Sequence, residues 1–222
     1  MLVAFDTIFD QCAIAVMTAD GQMIYDKSVA GSRGQTEIIL PMLDEALNEL
    51  GIDVKEVLAW AFNRGPGAFS GIRINTAVVQ ALSVANDAPC VGISSLKALA
   101  HALISKKNLP NNSRITSVID ARQNQVYAGD FVLADGALVV KDEYLLDYDS
   151  VVVSDVIVGN GADLIQSTAQ KLNLEPTAYH IAQLAYPIWQ AGGAISAEQA
   201  LPVYLRHNAW KTLAEQGKKQ AN

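Results

Sequence analysis

The chain is poor in metal ligands and in positive charge. Its 222 residues include three histidines, His101, His180 and His207, and no two lie within a helical turn or a strand step of one another. A histidine metal site would require folding to gather three distant regions, so the sequence offers no support for a zinc or iron centre. The two cysteines, Cys12 and Cys90, stand far apart in apolar stretches. They read as reduced core thiols, not as a disulfide or a nucleophile. Sixteen Lys and Arg face 23 Asp and Glu, a formal net charge of −7. That excludes a protein that grips nucleic acid alone through a broad basic face, because phosphate neutralisation supplies most of such affinity. No run approaches the ~18 uncharged apolar residues of a membrane span. The N-terminus enters Leu2-Val3-Ala4-Phe5-Asp6 with no basic n-region or cleavage site, so a cytoplasmic protein without membrane contact is expected. With half of the residues hydrophobic, there is material for a large core in one or two domains.

What the chain does contain is one unusual loop. Val57 to Phe62 reads as a buried strand, and Asn75 to Asn86 as an Ala-, Val- and Leu-rich helix. Between them runs Asn63-Arg64-Gly65-Pro66-Gly67-Ala68-Phe69-Ser70-Gly71-Ile72-Arg73-Ile74. Gly65 and Gly67 permit positive φ and leave no Cβ in the way, and Pro66 stiffens the turn between them. Free N–H groups of a helix opening at Ser70-Gly71 face whatever lies opposite. An ordinary strand-to-helix turn can be shorter and does not need Arg64 and Arg73. The segment reads either as such a turn or as a contact loop.

The rest of the chain repeats itself. Leu2–Phe5 is a strand ending at Asp6-Thr7, Cys12–Thr18 a second, and Gln22–Ala30 a third after the turn Ala19-Asp20-Gly21. Thr36 is placed to cap a helix through Leu50, with Pro41 expected to kink its start or push it downstream and Gly51 closing it. A strand Cys90–Ile93 and a helix near Ser95–Ser105 follow, and Lys106–Ser113 reads as a linker. Then Ile115–Ile119 ends at Asp120-Ala121, Val126–Leu133 alternates, and Ala134-Asp135-Gly136 turns into Ala137–Lys141. Asp6 to Asp20 spans 14 residues and Asp120 to Asp135 spans 15. Strand, acidic loop, strand, Ala-Asp-Gly turn, strand thus occurs twice, which predicts two related units, 1–108 and 109–222. The second half is completed by a strand near Val156–Val158, the turn Gly159-Asn160-Gly161, helices near Ala162–Leu172 and Tyr179–Gln190, and a fraying tail from Gln216.

Two tandem βββαβα units with an Asp ending each first strand resemble the actin-like ATPase (RNase H-like) fold, an α/β class in which each domain is a mixed sheet with flanking helices. The loop Arg64-Gly65-Pro66-Gly67-Ala68-Phe69-Ser70-Gly71-Ile72-Arg73 is similar to the Arg-Gly-Pro-Gly-Ser-Phe-Thr-Gly-Leu-Arg signature of the TsaB family, also called YeaZ. Phe5-Asp6-Thr7, Ile39-Leu40-Pro41, Gly92-Ile93-Ser94-Ser95-Leu96, Ile119-Asp120-Ala121-Arg122, Val126-Tyr127 and Pro202-Val203-Tyr204-Leu205-Arg206 fit it as well. The resemblance runs the length of the chain. It implies a scaffold without catalysis of its own in the making of threonylcarbamoyladenosine in tRNA, partnered by a paralogous catalytic subunit, TsaD, and a small ATPase, TsaE. It implies a homodimer in isolation, and tRNA contact only through the complex.

The residues agree in part. The catalytic paralogue holds its metal with a His-x-x-x-His pair, whose places fall near Ser95 and Leu99. Neither is a ligand for a divalent ion. In the loop before the first long helix, where many relatives carry a His, Arg33-Gly34-Gln35-Thr36 puts Gln35. A phosphate cradle after the first strand wants glycine, whereas Thr7-Ile8-Phe9-Asp10-Gln11 has none. Asp6 reads as a strand-end cap, with weaker readings as a Mg²⁺ ligand there and as nucleotide contacts at Gly159 and Gly161. No cofactor and no catalytic residue is expected. The Thr36–Leu50 and Asn75–Asn86 helices carry more apolar residues than one buried stripe needs. In the family these helices pair with a partner, so Ile39, Met42, Leu43, Ala46, Leu47, Ile74, Val78, Ala81 and Leu82 are expected at an interface, with loop contacts from Arg64, Gly65, Pro66, Gly67 and Arg73. Arg206 is a further candidate contact. Two other classes remain open: an autonomous actin-like ATPase or small-molecule kinase working through Asp6 and Asp120, and, with least support, a glycoprotease-type metalloprotease.

Overall fold

The computed structural model describes residues 1–31 and 34–206. Arg33, His207 and the tail from Gln216, named above, lie outside the described residues. Two five-stranded sheets form the frame. In the first, β1 (Leu2–Asp6), β2 (Gln11–Met17), β3 (Met23–Ala30), β4 (Ala59–Asn63) and β5 (Cys90–Ile93) take the order β3-β2-β1-β4-β5. β1 pairs antiparallel with β2 and parallel with β4. The central strands β1, β2 and β4 are buried at every residue, whereas the edge strand β3 is mostly half-buried or exposed. That is why the first two and the fourth read as apolar runs and β3 carries Asp26, Lys27 and Ser28.

The second sheet repeats the pattern. β6 (Arg114–Arg122), β7 (Gln125–Ala134), β8 (Ala137–Asp147), β9 (Val156–Val158) and β10 (Gln170–Leu172) take the order β10-β9-β6-β7-β8. The predicted helix over Ala162–Leu172 is not there. A single 3₁₀ turn, Ala162–Leu164, gives way to β10, which pairs parallel with β9. Ser167 and Thr168 are weak helix formers, and the sheet edge offers that segment a ladder instead.

Among the described residues, four α-helices accompany the sheets: α1 (Gln35–Leu50), α2 (Phe69–Asn86), α3 (Ser95–Lys106) and α4 (Ala178–Gln190). α1 and α2 cover one face of the first sheet, over Phe5, Trp60 and Phe62. The opposite face is covered by α4, which comes from the second half of the chain. In exchange, α3 from the first half packs on the second sheet through Leu96, Leu99 and Leu103. The strands of each sheet thus come from one half of the chain, while α3 and α4 each pack on the sheet built by the other half.

Two helix starts differ from expectation. α1 begins at Gln35 and its N-cap is Gly34 at φ +79°, with no side-chain cap, so Thr36 lies inside the helix. Pro41 also lies inside α1, which is not pushed downstream. α2 begins at Phe69, six residues before Asn75, so the end of the glycine loop is its first turn.

Candidate functional site

The loop after β4 and the end of β1 form one buried polar knot. Asp6 ends β1 and is fully buried. Its Oδ1 accepts the Ile8 N–H at 2.9 Å and its Oδ2 accepts Asn63 Nδ2 at 3.2 Å. Burial pushes the Asp6 carboxyl up to about 7 against these two hydrogen bonds, and Glu175 adds to the rise. Asn63 Oδ1 accepts from Ser95 Oγ at 2.6 Å and from the Gly65 N–H at 3.2 Å. Asn75 Nδ2 donates to the Asn63 carbonyl at 3.1 Å, and Thr7 Oγ1 donates to the Gly71 carbonyl at 2.7 Å. Side chains from β1, β4, α2 and α3 are thus tied at one point. Sequence reasoning placed Asp6 there and missed Asn63, Asn75 and Ser95. A signal existed, since Asn63 and Asn75 bracket the glycine loop as polar residues in apolar runs.

The loop glycines are explained by that packing. A Cβ on Gly71 would stand 2.1 Å from the Thr7 carbonyl oxygen, and one on Gly67 would stand 2.4 Å from Ile8 Cγ2. Gly65 is left-handed at φ +95°, and its Cβ would meet Ile72 Cδ1 at 2.8 Å. The close approach that glycine permits is used against the chain's own β1–β2 loop. Pro66 is buried beside Gly65. The two arginines stay exposed. The Arg73 guanidinium lies 3.7 Å over the Phe69 ring, and Nε is 3.5 Å from the Tyr204 hydroxyl.

Between the two sheets lies a cleft of about 290 Å³ with Ile8, Asp10, Phe69, Asp120, Arg122 and Glu175 on its walls. Its charge is negative. Arg122 is paired with Asp120 at 2.9 Å, and Asp120 also accepts the Tyr148 hydroxyl at 2.7 Å. Burial and then Asp10 hold the Glu175 carboxyl above its usual range. A phosphate there would face Asp10 and Glu175 with no cation left over among the lining residues. Gly159 and Gly161 have their own reason to be glycine. A Cβ on Gly159 would sit 2.2 Å from the Val118 carbonyl oxygen, and one on Gly161 2.8 Å from Val118 Cγ1.

Folding does bring two of the distant histidines together. His101 on α3 and His180 on α4 stack edge to face with centroids 6.2 Å apart. Both are engaged: His101 Nε2 bonds Gln183 Oε1 at 3.0 Å, and His180 Nδ1 accepts the Thr177 N–H at 3.0 Å in a capping box. Burial, then His101 and Lys106, bring His180 down to about 4. Among the described residues, no group of three or more His, Cys, Asp or Glu is arranged to hold a metal ion.

The expected interface divides in two. Ile39, Met42, Leu43 and Ala46 are buried in the chain's own core, and of the four only Ile39 also lines the groove between α1 and α2. The reason is period: with 3.6 residues per turn these four share the stripe of α1 that faces the sheet. Leu47, Ile74, Val78 and Leu82 are half-buried, and Ala81 is exposed. Residues the sequence reading did not select, Leu40 (51% exposed) and Ala77, line a groove of about 250 Å³ between α1 and α2 with Ile74 and Val78. No helix among the described residues is long and apolar enough to cross a membrane.

Two duplicated sheet units with exchanged helices define a two-domain α/β protein of the actin-like class. A family model described as "TsaD: tRNA N6-adenosine threonylcarbamoyltransferase" matches residues 29–220. Proteins named tRNA threonylcarbamoyladenosine biosynthesis protein TsaB are similar along nearly the whole chain. The one from Haemophilus influenzae is 30% identical, with 96% of each chain covered. The one from Escherichia coli is 29% identical over 96% of this chain and 97% of its own. The solved structure of YeaZ from Pseudomonas aeruginosa superposes with a TM-score of 0.82 at 32% identity, covering 92% of this chain and 99% of that one. The chain belongs to the TsaB (YeaZ) family.

Proposed function

We propose that this chain is a non-catalytic scaffold subunit for the formation of threonylcarbamoyladenosine in tRNA, working in the cytoplasm. It binds a TsaD-type catalytic subunit, supports docking of a TsaE-type ATPase, and meets tRNA only through that complex. The observation that carries the reading is the apolar groove between α1 and α2, with Leu40, Ala77, Ile74 and Val78 on its walls. An uncovered apolar groove between two helices suits a second pair of helices. Ala81, Leu82 and Leu47 extend the contact, and Arg64 and Arg73 reach from the loop with Gly65, Pro66 and Gly67 behind them. In isolation a second copy of this chain covers the groove, giving a homodimer that yields to the mixed complex. The knot at Asp6 and the acidic cleft support the absence of catalysis, because neither leaves a seat for a triphosphate.

The test is light scattering after size exclusion, on the chain alone and mixed with the TsaD-type subunit of the same cell. The expected result is a dimer that converts to a mixed complex. Ala77→Arg, at an exposed helix position, is expected to abolish both assemblies while shifting stability by no more than about 0.5 kcal/mol. A strict monomer that ignores the catalytic subunit would overturn the reading. Calorimetry with ATP and Mg²⁺ separates the autonomous ATPase, for which sub-millimolar affinity and turnover are required.

A further inference from the structure

The segment after α4 touches almost every part of the molecule. Ile195 exchanges two backbone hydrogen bonds with Cys90 at the start of β5, both 2.8 Å. Gln80 Nε2 on α2 donates to the Ala200 carbonyl at 3.0 Å. The Val203 N–H donates to the Arg64 carbonyl at 2.9 Å, which seats the segment on the glycine loop. Tyr204 lies against Phe69 with ring centroids 6.1 Å apart. Leu205, half-buried, then packs against the core cluster beneath α3 that includes Ile8, Ile72 and Ile119. Finally Arg206 reaches the second sheet. Its NH2 group donates to the carbonyls of Ala121 and Arg122, each at 3.2 Å, and its NH1 group donates to Gln123 Oε1.

The place where Arg206 lands is strained. Arg122, Gln123 and Asn124, which join β6 to β7, stand at φ +60°, +55° and +58°. Three successive non-glycine residues in the left-handed region carry a steric cost at each position, and such a turn persists only when its surroundings hold it. Within the hairpin and its neighbours, the Asn124 carbonyl accepts the Tyr148 N–H at 2.8 Å, Arg122 pairs with Gln125, and the Arg122 N–H and guanidinium bond Asp120 at 2.8 and 2.9 Å. Arg206 supplies the charged bonds from outside the hairpin. Ala121 and Arg122 form one wall of the cleft, and Gly67 and Phe69 the other.

We propose that Leu201–Arg206 is a latch that ties the two walls of the cleft together, Tyr204 on Phe69 and Arg206 on Ala121 and Arg122, with Arg206 as the positioning residue that holds the left-handed β6–β7 turn and fixes the cleft's width. The planar guanidinium bonds two successive carbonyls at once, a geometry that a lysine ammonium on its flexible stem does not reproduce. Arg206 is therefore committed within the molecule, in place of the external contact expected from the sequence.

Amide hydrogen exchange on the full chain tests this. In Arg206→Ala, the amides of residues 122–125 and of Tyr148 are expected to exchange about ten-fold faster or more, because three charge-assisted bonds are lost from a turn of three left-handed residues. The Val203 amide is expected to speed up with them, while amides of β1 and β4 keep the parent rates. Arg206→Lys is expected to fall between. Val203→Pro removes the bond to Arg64 without touching Arg206. It is expected to speed the turn as well, since the strap acts as one unit. Parent-like rates at the turn in Arg206→Ala overturn the proposal, as does equal acceleration in β1 and β4. A turn unaffected by Val203→Pro removes the strap and leaves a local clamp.

Discussion

Replacing Gly71 by Ala sets two known effects against each other. Gly71 has helical geometry in the first turn of α2, so on helix propensity alone Ala is better by roughly 1 kcal/mol. The opposing effect is steric. The new Cβ would stand 2.1 Å from the Thr7 carbonyl oxygen and 3.1 Å from Ile8 Cα, and about 1 Å or more of separation is needed to restore an ordinary contact. The obstacle is backbone. Thr7 is pinned by the end of β1, and the Asp6–Asn63 knot stands behind it. Overpacking of a built core costs about 1–3 kcal/mol and occasionally more. Separation also breaks the bond from Thr7 Oγ1 to the Gly71 carbonyl, worth about 1 kcal/mol net. The balance is a loss of about 1–3 kcal/mol. For a chain of this size each kcal/mol moves Tm by about 2–4 °C, so the expected drop is about 2–12 °C by calorimetry or circular dichroism. Gly136→Ala is the control: at φ +80° with nothing within 4 Å of its Cβ, it carries only the left-handed cost of about 1–2 kcal/mol. A Gly71→Ala chain that melts with the parent or above it would refute the idea that this glycine exists for its contact with Thr7.

Other expectations follow from burial and charge. Asp6 has a folded pKa of about 7, above its unfolded value near 3.8, so the native state holds the extra proton. Its contribution to stability is fully present below pH 4 and is lost as pH rises towards 7, and Asp6→Asn should flatten that part of the Tm–pH curve. His180 acts in the opposite direction. Its folded pKa is about 4 against 6.5 unfolded, so stability falls as pH drops from 6.5 through 4, and His180→Asn should lessen that fall even where the lost cap lowers Tm overall. Ile39→Ala, at a side chain 1% exposed, should cost about 2–5 kcal/mol in denaturant unfolding, whereas a true interface residue would leave the monomer's stability nearly unchanged.

What the sequence disclosed depended on how local the cause was. The five strands of the first sheet follow from apolar runs and turn residues within a few positions, and each was found to within one or two residues. The duplication was legible for the same reason, because Ala-Asp-Gly turns act on their immediate neighbours. The exchange of α3 and α4 between the sheets was not legible. An amphipathic helix announces that it has an apolar face without naming the sheet that covers it. The same limit explains the interface residues, where a helix rich in Ile and Leu was read as having a face to spare and four of the nine chosen positions proved to be core.

The glycine loop shows the limit at its sharpest. Gly65 and Gly67 announce that something approaches the backbone too closely for a Cβ, while the same constraint at Gly71 emerges only from the fold. For Gly67 and Gly71 the approaching groups are the Ile8 side chain and the Thr7 carbonyl, more than fifty residues away in sequence, whereas Gly65 is met by Ile72. The first loop, judged poor as a phosphate cradle because it lacks glycine, is the surface against which the second loop's glycines are fitted. The two observations have one cause. Bulky Ile8 occupies the space beside Gly67, and the Thr7 carbonyl occupies the space beside Gly71. Restoring a phosphate cradle would therefore require changes in both loops together, and a glycine introduced at Ile8 alone would leave the Gly67 contact unfilled and the chain less stable.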